Sequence, residues 1–71
     1  MSSEEIEIFK TVASIYPKLQ QILQQKHPEL LPLYLIKFNY VLDDRYPLLV
    51  RLHNAYQILR AYCQLLKQVG Y

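Results

Sequence analysis

The segment Leu33–Leu42 reads LYLIKFNYVL, and only Lys37 and Asn39 in it are polar. At helical spacing these two point in nearly opposite directions, so a helix here is apolar around most of its circumference. Such a helix needs cover on nearly every side. The chain has 71 residues in all, and a domain of that size buries only roughly 60% of the surface that its unfolded form exposes. Little else is left to cover the segment. The surplus predicts a contact with another surface, supplied by a second copy or by another helical protein.

Composition sharpens this expectation. Apolar residues make up 52% of the chain, whereas small domains usually run short of core. The formal net charge is +2, too small to demand nucleic acid or an anionic membrane. Cys63 is the single cysteine. With no signal-like apolar stretch near the start, it favours a reducing, cytoplasmic setting. The longest mostly apolar run, Leu30–Leu42, has 13 residues and contains Pro32, Lys37 and Asn39. A membrane-spanning helix needs about 20. Glycine occurs once, at Gly70. Phosphate-cradling loops, nucleophile elbows and tight hairpins all need glycine, so these sites are effectively closed.

Residues 1–71 therefore read as one small all-α domain of three helices. Ser2 and Glu5 have the S-x-x-E spacing of a capping box, and Glu4, Glu5 and Glu7 favour the positive end of a helix dipole. Ile8, Val12, Ile15, Leu19 and Ile22 then recur at spacings of 4, 3, 4 and 3, with Phe9, Tyr16 and Leu23 widening the stripe. Pro17 interrupts this helix and removes a donor to the Ala13 carbonyl. The apolar phase nevertheless carries through, which predicts one long kinked helix in preference to two short ones. His27 and Pro28 end it.

A short helix follows, from residue 30 or 32 to Leu42, with Glu29 or Leu31 as its cap. Asp43 and Asp44 form the next connection, and Asp44 is the expected cap of the last helix, with Pro47 at its third position. That helix carries a heptad seam of Leu48, Leu52, Ala55, Leu59, Tyr62, Leu66 and Val69. Gly70 suits a left-handed terminal cap. By length the short helix, about 16–20 Å, covers only about half of the trough between two long ones. Dimerisation or a partner then completes the bundle.

Two surfaces are candidates for function. On the middle helix, Leu33, Ile36 and Tyr40 form a narrow apolar arc expected to meet the partner. A wider arc of Tyr34, Leu35, Phe38, Val41 and Leu42 is expected to face the chain's own helices. On the last helix, Arg45, His53, Arg60 and Lys67 fall within about 80° of one another, interleaved with Leu49, Tyr56 and Cys63. Such an edge can receive an anionic partner, either an acidic protein or a nucleic-acid backbone. The plainer reading is a solvated edge neutralised by Glu4, Glu5 and Glu7. Basic residues spread along a helix are unlike a recognition helix, which reads bases near its N-terminus.

Catalysis and cofactors have no support. His27, His53 and Cys63 match no metal-ligand spacing. On one helix His53 and Cys63 lie about 15 Å apart, too far to work as a pair. The adjacent carboxylates of Asp43 and Asp44 are explained by capping. The expectation is a non-enzymatic protein-interaction module (an adaptor, inhibitor or regulatory subunit), dimerisation included, without cofactor, metal, membrane or small-molecule substrate. The alternative is a small nucleic-acid-binding protein using the basic edge.

Overall fold

The computed structural model describes residues 1–70. Helix α1 spans Ser3–Lys26, α2 spans Leu31–Leu42 and α3 spans Leu48–Gln68, and a 3₁₀ turn over Pro28–Leu30 leads into α2. No strand occurs among the described residues. At the start of α1 the capping box is complete. The Ser2 hydroxyl accepts from the Glu5 N–H at 3.2 Å, and the Ser2 N–H donates to Glu5 Oε1 at 2.8 Å. The Ser2 N–H foremost, and the Ser2 hydroxyl after it, hold the Glu5 carboxyl below its ordinary pKa.

Helix α1 runs unbroken through Pro17. Proline inside a helix costs about 3 kcal/mol, yet Val12 and Leu19 on either side of it are fully buried. Breaking the helix would take one of them out of phase with the core. Burial on both sides outweighs the lost backbone bond.

The helices run up, down and up. The Arg51 guanidinium lies over the Phe9 ring at 4.1 Å, which places the starts of α1 and α3 together. At the other end His27 Nε2 lies 3.2 Å from Gln68 Oε1. Helices α1 and α3 are therefore parallel, and α2 returns antiparallel over the trough they form. Phe38 of α2 meets Tyr16 of α1 with ring centroids 4.3 Å apart. The core comprises Phe9, Val12, Leu19, Ile22 and Leu23 of α1, Phe38 and Val41 of α2, and Ala55, Ile58 and Leu65 of α3.

Four features differ from the sequence reading. First, α2 starts between the two expected positions. Leu30 is its cap and Pro32 its second residue, where the missing N–H is again one of the unpaired donors of a first turn. Secondly, α2 and the 3₁₀ turn together cover about 24 Å. The Val41 carbonyl lies level with Arg51 and His27 level with Gln68. The trough is filled for most of its length, so a length mismatch is no longer the reason to expect a partner.

Thirdly, Asp44 does not cap α3. The helix begins at Leu48 with Pro47 as an extended cap residue, and no side chain bonds to its first turn. A helix begun at Asp44 would need helical backbone at Tyr46, which the ring of Pro47 disfavours. Fourthly, the buried line of α3 is Arg51, Asn54, Ala55, Ile58 and Leu65. Of the heptad seam only Ala55 is buried. Leu52, Leu59, Tyr62, Leu66 and Val69 flank the core half-buried, and Leu48 is exposed. A seam suits one facing helix, whereas α3 faces two. Its inward direction is turned toward the side of Gln57 and Ala61, where α2 lies. The end of α3 is as expected: Gly70 takes a φ of +89° just beyond the helix.

Candidate functional site: the outer ridge of α2 and its groove with α3

The circumference of α2 divides as its sequence requires. Phe38 and Val41 are buried, and Tyr34 and Leu35 are half-buried. Leu42, assigned to the same wide arc, is instead exposed. It sits in the last turn of α2, at the edge of the arc, where α2 gives way to the chain reversal. The opposite side carries the narrow arc. Leu33 is 49% exposed and Ile36 is 54% exposed. Tyr40 is half-buried and packs edge-on against Tyr46, with centroids 4.8 Å apart and planes at 79°. The narrow arc is thus a short outward ridge with Tyr46 supporting one end.

The basic edge is smaller than expected. Arg45 is not on α3; it lies in the chain reversal before it. Its Nε and Nη2 donate to the Asp43 carboxylate at 3.0 and 2.7 Å, and its own N–H donates to Asp43 Oδ1 at 3.0 Å. These bonds, the side-chain ones foremost, pull the Asp43 carboxyl down to about 2 and push the Arg45 guanidinium up. The tightness of that corner separates Arg45 from the other basic residues. His53, Arg60 and Lys67 remain exposed on α3. Glu4, Glu5 and Glu7 do not neutralise them. Glu5 is engaged by Ser2, and Glu7 faces Lys10 of its own helix at 4.0 Å.

The structure brings the two candidate surfaces together. An open groove of about 290 Å³ runs between α2 and α3, lined by Tyr34, Lys37, Gln57, Arg60, Ala61 and Gln64. Lys37 Nζ donates to Gln57 Oε1 across it, and the Gln57 amide nitrogen lies 3.0 Å from His53 Nε2. Leu33 and Tyr40 are four residues before and three after Lys37, hence on the same side of α2. The ridge therefore forms the rim of one wall, and Arg60 lines the opposite wall, with His53 beside its Gln57. Sequence alone missed this because each surface was read on its own helix. Their junction depends on which side of α2 faces α3.

Arg51 was also missed. It is 7% exposed, and its Nε donates to the Val41 carbonyl at 3.0 Å. That carbonyl is among the last four of α2, which lack helical partners. A cation there also favours the negative end of the helix dipole. Arg51 thus ties the end of α2 to α3 while its face packs on Phe9 of α1. The signal was present: Arg51, Ala55, Ile58, Tyr62 and Leu65 keep the 4, 3, 4, 3 spacing of a buried stripe. Asn54 beside it donates to the Val50 carbonyl at 2.8 Å.

The histidines and the cysteine do not converge. His27 lies beside Glu29 and Gln68 at one end of the bundle, His53 beside Gln57, and Cys63 is exposed on α3. No group of three or more His, Cys, Asp or Glu side chains able to hold a metal forms among the described residues. No described helix is long and apolar enough to cross a membrane. Comparison of the chain with protein families, with curated proteins and with solved structures finds no match.

Proposed function

We propose that this chain is a non-enzymatic protein-interaction module that buries the outward ridge of α2 against a partner helix. The observation that carries this reading is the exposure of Leu33 and Ile36 on a helix whose other side is already packed. Apolar residues at i, i+3 and i+7 are the anchors of helix-against-helix recognition. A second copy is the simplest partner, because a twofold contact needs only one self-complementary patch and closes on itself. Ile36, flanked by Leu33 and Tyr40, lies nearest the axis of such a contact.

A cross-link tests it. In a Cys63→Ser background, Ile36→Cys is expected to form a disulfide between two copies under mild oxidation, and Gln24→Cys on the exposed side of α1 is not. Equal cross-linking at both positions, or none at Ile36, would remove the ridge as the self-contact. A nucleic-acid reading retains one supporting observation, the exposed His53, Arg60 and Lys67, and is separated from the first by the binding experiment below.

A further inference from the structure

We propose that the groove between α2 and α3 is a docking site for an acidic amphipathic helix of a different protein. The proposal rests on the reading of this chain as an interaction module but not on its forming a dimer, because the occupant takes Leu33 and Tyr40 in place of a second copy.

The argument begins with the placement of charge. Neither α2 nor α3 contains a single Asp or Glu. The carboxylates of the chain lie at the start of α1, in the 3₁₀ turn and in the reversal before α3. The groove therefore collects Lys37 on one wall and Arg60 on the other, with His53 joined to Lys37 through Gln57. No hydrogen bond or ion pair links Arg60 to another described residue, and Lys37 has only the neutral Gln57 amide. Both cations retain their demand for a counter-charge. Tyr34, Gln57 and Gln64 add polar groups between them.

The neighbouring ridge narrows the class of occupant. A ligand that meets Lys37 and Arg60 and also leans on Leu33 and Tyr40 needs carboxylates along one side and apolar residues along the adjacent one. An acidic amphipathic helix has that form. A nucleic-acid backbone would satisfy the cations and leave the apolar rim without a partner. A twofold contact centred on this groove would set Lys37 and Arg60 against their own copies, and like charges brought together suppress association. The chain's own acidic segment, at the start of α1, is a poor occupant from a second copy, because Glu5 is held by the Ser2 N–H and Glu7 faces Lys10.

The experiment titrates the full chain into a fluorescent synthetic helical peptide with Glu along one face and Leu along the next. Parallel arms use duplex DNA and single-stranded DNA. Saturable peptide binding is expected, weakening as salt rises, because the contacts are exposed and screened. Lys37→Gln with Arg60→Gln is expected to weaken it about tenfold or more, consistent with loss of two charge contacts. Lys10→Gln with Lys26→Gln makes the same change in net charge elsewhere and is expected to leave it unchanged. Helical circular dichroism should be the same in all four variant positions. The proposal is overturned by absent peptide binding, by equal effects of the two double variants, or by tighter binding to either DNA. The Ile36 cross-link reports the ridge separately, so failure of the dimer and failure of the groove are distinguishable.

Discussion

The two sides of α2 have nearly the same chemistry and opposite fates. Phe38 and Val41 are at most 1% exposed, whereas Leu33 and Ile36, no less apolar, are about half exposed at 49% and 54%. Hydropathy does not separate them. Neighbours do. Helices α1 and α3 lie side by side and reach one side of α2 only. The described residues form no further helix to cover the other. The difference teaches that the apolar surplus of α2 is a property of two surfaces, one serving the fold and one left exposed.

The most severe way to break the comparison is to place the same charge on each side. Phe38→Glu would bury a carboxylate without a counter-ion, at a cost of several kcal/mol, comparable to the whole stability of a small domain. It is expected to abolish the helical circular dichroism. Ile36→Glu would place the charge at a half-exposed position and is expected to retain most of the helicity. If the two variants behave alike, the sides of α2 are not distinct in the way the structure shows.

A smaller effect is expected where α2 is tied to its neighbours. Arg51→Met keeps an apolar stem over Phe9 but leaves the Val41 carbonyl without its donor. A buried polar group left unpaired costs about 1–3 kcal/mol. The midpoint of urea unfolding should fall accordingly, and an unchanged midpoint would show that the bond from Arg51 to Val41 does not support the fold.

These residues also show how far the sequence could be read. The apolar period of α1, the capping box and Gly70 were legible because each is a local rule, decided within one or two turns. The inward and outward sides of α2 were largely legible because Lys37 and Asn39 mark them. The inward direction of α3 was not. It depends on the positions of two other helices, and a charged Arg51 within the buried stripe hid the true phase. Arg45 was misplaced for a comparable reason. A helix extended back to Asp44 satisfies the capping rule, but the backbone restriction imposed by Pro47 and the fork of Arg45 onto Asp43 prevail. The groove was illegible because it belongs to two helices at once.

The smallest effect concerns that corner, which separates Arg45 from the groove. The Asp43 carboxyl is held at about 2, below its ordinary value of 3.8. A lowered carboxyl contributes its stabilisation above the ordinary value and loses it as pH falls toward the lowered one. Acid between about pH 4 and pH 2 should therefore loosen the reversal between α2 and α3. Amide exchange at Arg45, whose N–H bonds to Asp43, should accelerate over that range relative to the same measurement on Asp43→Asn. Identical pH dependence in the two proteins would show that the pair does not hold the corner.

The central claim, that the outward ridge of α2 is a contact surface, is tested most directly by light-scattering mass across protein concentration. The wild-type chain is compared with Ile36→Glu, with helical circular dichroism recorded on both. The expected result is twice the monomer mass for the wild type at micromolar concentration, and the monomer mass for Ile36→Glu with its helicity retained. A wild type that stays monomeric throughout, or an Ile36→Glu variant that keeps the doubled mass, would contradict the account.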